Sequence, residues 1–133
     1  MRRFPGLSQE EADTEIQKTF TYSDLNGFIK GYLAVQDLYE SEEDLECVFA
    51  DLKDYLVRNG IVYAEIFASP SSLVKKGFDF FKMVEIYRRN IMKIKFETGI
   101  VVRILIDVSR TFGMENAEKN LQLLLAYRIP EII

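Results

Sequence analysis

Gly60-Ile61-Val62-Tyr63-Ala64-Glu65-Ile66-Phe67, and again Gly99-Ile100-Val101-Val102-Arg103-Ile104-Leu105-Ile106, are runs of β-branched and aromatic residues opened by a glycine. Each reads as a strand, and each follows a helical pattern. Before the first, Ser41-Glu42-Glu43-Asp44 sets a hydroxyl at an N-cap and a carboxylate three residues on, where both satisfy free backbone N–H groups. Leu45, Val48, Phe49, Leu52, Tyr55 and Leu56 then recur at three- and four-residue spacing, and Asn59-Gly60 stops the helix. Before the second strand, Phe81, Val84, Tyr87, Ile91 and Ile94 form the same kind of stripe, ended by Thr98-Gly99.

The pattern extends outward in both directions. Ala117, Leu121, Leu124 and Leu125 mark a helix over 114–127, and Ile129-Pro130-Glu131-Ile132-Ile133 is apolar enough to open a third strand. Upstream, Leu25, Phe28, Ile29, Tyr32 and Leu33 line one side of a helix over 22–39. Gly27 and Gly31 weaken that helix by about 1 kcal/mol each if they lie inside it. Residues 1–20 read as a polar N-terminal arm, extended or helical. The expectation is therefore an α/β chain with parallel strands over 61–68 and 100–108 and helices over 22–39, 41–59, 78–98 and 114–127. Near-continuous apolar strands point to a parallel sheet covered on both faces, compatible with a (β/α) barrel or an open α/β sheet. No linker composition divides the chain, so residues 1–133 read as one segment. It is an incomplete one: a barrel of eight units takes about 250 residues, and two or three parallel strands leave both sheet edges open.

Composition removes whole classes of function. The 133 residues include no histidine, no tryptophan and one cysteine, Cys47. A His-based triad, a His metal cluster, a disulfide framework or a Cys-rich zinc site cannot be built from this chain alone. With 17 basic and 21 acidic residues the net charge is −4, so no overall field draws the chain to nucleic acid or an anionic membrane. No apolar run reaches the roughly 20 residues of a membrane helix, and Met1-Arg2-Arg3-Phe4-Pro5-Gly6 lacks the apolar stretch of a signal peptide. A reducing cytoplasm is the default location.

Functional groups of parallel α/β folds gather at the carboxyl ends of the strands. Here these are Phe67-Ala68-Ser69-Pro70-Ser71-Ser72 and Asp107-Val108-Ser109-Arg110-Thr111. Both read as a polar rim over a pocket or as ordinary turn chemistry. Glu65 and Arg103 sit inside otherwise apolar strands, where a charge needs a partner. The basic residues within Tyr87 to Lys95 fall on the outer face of a helix, as a solvated surface. Cys47, with no basic neighbour in its helix, reads as a small core residue.

At Gly60-Ile61-Val62-Tyr63-Ala64-Glu65-Ile66-Phe67-Ala68-Ser69-Pro70 the chain resembles the second barrel strand of the adenosine deaminase family, whose pattern is Gly-Val-x-Tyr-x-Glu-x-Arg-x-x-Pro. Leu25-Asn26-Gly27-Phe28-Ile29-Lys30-Gly31-Tyr32 resembles the family's Leu-x-x-Phe-Leu-x-x-Phe/Tyr helix, and Gly99 to Arg110 its third strand. Ile129 to Ile133 resembles the lead-in to the fourth. The likeness implies part of a (β/α)8 TIM barrel. Its parent enzyme uses one zinc ion to activate water, converting adenosine or a related aminopurine nucleoside to inosine and ammonia.

The family's metal ligands and its ring-protonating Glu lie on other strands, so the resemblance implies no zinc held by this chain alone and no activity in isolation. What it transfers is pocket wall: Leu25, Phe28, Ile29 and Tyr32 as the apolar helix over the nucleoside site, Ser69 at the end of the second strand, and Ser109 and Thr111 on the rim of the third. Glu65 and Arg110 match positions near the strand ends. Phe67 departs from the pattern, standing where many members carry Arg. The implied partners are the remaining barrel as separate chains, or self-association, with a purine nucleoside as ligand of the complete enzyme. A non-catalytic α/β binding or assembly module is the alternative that the missing histidines also allow.

Overall fold

The computed structural model describes residues 6–107 and 113–127. Eight elements follow in order: α1 (Gln9–Phe20), α2 (Leu25–Asp37), α3 (Glu42–Arg58), β1 (Tyr63–Ala68), α4 (Pro70–Lys75), α5 (Phe80–Thr98), β2 (Val101–Ile106) and α6 (Gly113–Tyr127). The chain divides into two compact units, one up to Glu40 and the other from Ser41.

In the first unit, the polar arm is the helix α1. Ser8 and Glu11 close its N-terminus reciprocally: the Ser8 N–H donates to Glu11 Oε2 at 2.8 Å, and the Glu11 N–H to Ser8 Oγ at 3.3 Å. The first of these bonds is the main cause holding the Glu11 carboxyl below its usual value. Asp24 caps α2 through the Gly27 N–H at 2.7 Å. The α2 glycines have a packing reason. A Cβ on Gly31 would lie 2.6 Å from the Thr19 carbonyl oxygen of α1, and one on Gly27 2.8 Å from Tyr22 Cβ. The cost of Gly31 in helix propensity is accepted because a side chain there would force the two helices apart, and that of Gly27 because one would collide with the turn that caps α2.

The second unit holds the sheet. β1 and β2 pair in parallel, with Tyr63 beside Val101, Glu65 beside Arg103 and Ala68 beside Ile106. The long crossover between them contains α4 and α5. Asp79 caps α5 through the Lys82 N–H at 2.9 Å. Gly99 ends it at φ 76°, a left-handed conformation that only glycine adopts without strain. From α5, Met83, Val84, Ile86, Tyr87, Ile91 and Ile94 are buried, together with Leu45, Phe49 and Leu56 of α3 and Val102 and Ile104 of β2. Ion pairs fasten α3 to α5: Arg89 to Glu46, and Lys53 Nζ to Glu97 Oε2 at 2.9 Å.

Several expectations need correcting. Among the described residues only one face of the sheet is covered. Val102 and Ile104 are buried, whereas Tyr63, Glu65 and Phe67 on the other face are exposed. Ser69-Pro70 does more than end a strand, because Pro at the first helical position opens the short helix α4. Val48, Tyr55 and Phe81 are exposed, since their apolar stripes are wider than the surface that the neighbouring elements cover. Cys47 is exposed, not core. Helical periodicity turns it away from Leu45, Phe49 and Leu56, which carry the packing. Residues 129–133, read as the opening of a third strand, lie outside the described residues.

Candidate functional site

Two surfaces carry the residues singled out in the sequence, one in each unit. On α2, Leu25, Phe28, Ile29 and Tyr32 stand 42–70% exposed. Leu25, Ile29 and Tyr32 point away from Gly31, which faces α1, while Phe28, three residues before Gly31, lies at the border of that side. Tyr22, Phe28 and Tyr32 make a row of rings, with centroids 5.4 Å apart edge-on and then 6.3 Å apart stacked. The Tyr32 hydroxyl accepts a bond from Gln36 Nε2 at 2.7 Å, which steadies the end of that row. A helix that packs through a glycine and leaves its large side chains open presents an apolar wall.

The second surface is the open face of the sheet and its carboxyl edge. The Tyr63 hydroxyl donates to Glu65 Oε1 at 2.6 Å. That bond raises the Tyr63 pKa above its ordinary value, with burial and the Glu65 charge adding to it and the Arg103 charge opposing. Arg103 stands beside Glu65 in the register, so the two charges predicted to need partners share one row of the face. Phe67, 74% exposed, pairs with Leu105 in the next row. Ser69 is half-buried at the N-terminus of α4, and its side chain makes no cap hydrogen bond. Ser109, Arg110 and Thr111 lie outside the described residues.

Behind the strand ends is a network that no sequence pattern signals. Ser71 Oγ on α4 donates to Asn116 Oδ1 on α6 at 2.9 Å and accepts from Asn120 Nδ2 at 2.9 Å. Ser71 and Asn120 are buried. The network ties the helix after β1 to the helix after β2. Its members are about 45 residues apart in sequence, and short-range spacing cannot reveal such a pairing. Asp107, at the end of β2, was read only as part of the polar strand end, with no separate role.

The described residues do not fit a zinc ion. The chain has no histidine, and among the described residues no three Cys, Asp or Glu side chains gather as metal ligands. Nor is any described helix long and apolar enough to cross a membrane.

A partial parallel barrel with an apolar helix and a polar strand edge matches known proteins throughout its length. The sequence model of the adenosine deaminase family matches residues 2–132. The chain belongs to the adenosine deaminase family. Within this deaminase family it is 31% identical over 124 residues to the aminodeoxyfutalosine deaminase of Streptomyces avermitilis, covering 91% of this chain and 34% of that protein. It is 29% identical over 105 residues to the adenine deaminase of Mesorhizobium japonicum, covering 76% of this chain and 31% of the relative. The crystal structure of the adenine deaminase of Arthrobacter aurescens superposes with a TM-score of 0.75 at 20% identity, over 90% of this chain and 37% of that one. The chain thus spans about a third of the length of the deaminases that it matches, and its fold is part of a barrel.

Proposed function

We propose that this chain supplies part of the substrate-pocket wall of a hydrolytic aminopurine deaminase. Leu25, Phe28, Ile29 and Tyr32 would lie over the purine, Ser69 would contact it from the second strand, and Ser109 and Thr111 would complete the rim of the third. Glu65 and Arg110 would support the strand ends. The observation that carries this reading is α2, which packs on α1 through Gly31 and leaves its aromatic and aliphatic residues exposed. An apolar stripe made for packing would be the buried side. Adenine, adenosine and aminodeoxyfutalosine are the substrate candidates, on the names of the relatives and family.

The same proposal assigns the zinc ligands to barrel strands other than the two described here. It makes the partner the remainder of a barrel or further copies of the chain, working in the cytoplasm. The open face of the β1–β2 sheet, with Phe67 exposed, supports a need for such a partner.

The test is a chimera in which this chain replaces the matching third of the Arthrobacter aurescens adenine deaminase. A zinc-loaded, folded chimera is expected to release ammonia from an aminopurine, and the 133-residue chain alone is expected to release none. A folded, zinc-loaded chimera without turnover on any of the three substrates would overturn the proposal.

A further inference from the structure

Asp107 Oδ1 is buried and has no hydrogen-bond partner among the described residues. Such an acceptor is rare in folded proteins, where buried polar atoms are nearly always satisfied. Its backbone is not loose. The Asp107 N–H donates to the Ala68 carbonyl at 3.0 Å, so the ladder runs one residue past β2 and sets Asp107 next to Ser69. Strand alternation places Asp107 on the same side as Arg103 and Leu105, the open face of the sheet. Ser69, on the adjacent strand end, likewise makes no side-chain cap bond. Two polar groups therefore stand side by side at the carboxyl edge, where ligands of parallel barrels bind, and among the described residues neither Asp107 Oδ1 nor a Ser69 cap bond holds the fold.

We propose that Asp107 is a ligand-recognition residue, accepting a hydrogen bond from a hydroxyl or amino group of the bound molecule, with the Ser69 hydroxyl as its neighbour in the same contact. This rests on the reading of the chain as pocket wall and narrows it. A carboxylate acceptor favours a neutral donor-rich ligand, a nucleobase or nucleoside, and repels a phosphorylated one. Among the described residues, the cation on the same face of β2 is Arg103, four residues back along the strand and two rows away from the Asp107–Ser69 edge.

The test uses the purified 133-residue chain, with adenosine and adenosine monophosphate as probes in a nuclear magnetic resonance titration, and thermal unfolding alongside. Wild type is expected to give saturable shifts with adenosine and to bind the monophosphate at least about tenfold more weakly. Asp107→Asn is expected to weaken adenosine about tenfold, to narrow the gap to the monophosphate, and to leave the unfolding midpoint unchanged or higher, because no intrachain bond is lost. Glu10→Gln on α1 serves as a control and should change neither. Three results would overturn the assignment: no saturable shifts in wild type, unchanged adenosine affinity in Asp107→Asn, or a midpoint lowered by more than about 5 °C, which would reveal an intrachain partner. An active chimera combined with any of these leaves the pocket-wall reading intact and removes only Asp107. An inactive chimera removes the broader reading.

Discussion

The two faces of the β1–β2 sheet are made from the same twelve residues and do different work. On one face Val102 and Ile104 are buried, and on the other Phe67 and Tyr63 are exposed around the Glu65 and Arg103 row. Helix α2 repeats the contrast within the other unit, with Gly31 pressed against α1 and four large apolar side chains left open. In both places stability comes from one side and the apolar surface of the other is free for something else. That distinction separates core from candidate site in this chain, and hydrophobicity alone does not draw it.

The contrast breaks most visibly in the sheet. Ile104→Ala should destabilise the second unit by about 3 kcal/mol, the usual cost of a cavity under helices. Phe67→Ala, one row away on the open face, should change stability by less than about 0.5 kcal/mol. Urea unfolding of the two variants measures the difference directly, and equal losses would mean that the open face is packed in solution.

In α2 the effect should be smaller. Gly31→Ala gains about 1 kcal/mol of helix propensity, but its Cβ must displace the Thr19 backbone, which costs about 1–3 kcal/mol. A net loss of roughly 1 kcal/mol is expected, read as lowered protection of α1 and α2 amides from hydrogen exchange. Increased protection would show that the close approach of the two helices is not constrained there.

The smallest effect concerns the ties between α3 and α5. Burial raises the Glu46 pKa, but hydrogen bonds from Arg89 and Asn90 and the charges of Arg89 and Lys93 outweigh it and leave the carboxyl below its usual value. A lowered folded pKa means stability that is present above the ordinary carboxylate range and lost as pH falls through the lowered value. Because Arg89 is exposed and Glu46 only half-buried, solvent screening limits this to below about 1 kcal/mol. Thermal midpoints of Glu46→Gln and wild type should therefore differ slightly at pH 7 and converge as the pH falls through the lowered Glu46 value. A difference that persists in acid would assign the effect to packing instead.

Much of the fold was legible because it rests on local rules. Ser41 and Asp44, the α5 stripe and Gly99 mark their elements through capping, period and a left-handed turn, all of which act within a few residues. The helix α4 was missed although Pro70 signalled it, since the same residue also ends a strand. The site was less legible. The role proposed for Leu25, Phe28, Ile29 and Tyr32 came from family likeness, because periodicity shows that a stripe exists and not whether anything covers it. Ser69 and Asp107 were found as strand ends; the burial of Asp107 Oδ1 and the Ser71–Asn116–Asn120 network were not.

From the residues alone came the order of helices and strands, the exclusion of histidine chemistry and the likeness to a deaminase, since each depends on identity and short spacing. Tertiary structure alone decided which face of the sheet is covered, why α2 needs Gly31 and that Asp107 Oδ1 is buried without a partner among the described residues. Burial and pairing are made by residues far apart in sequence, and only their arrangement in space sets which polar atom is satisfied and which apolar side is left open.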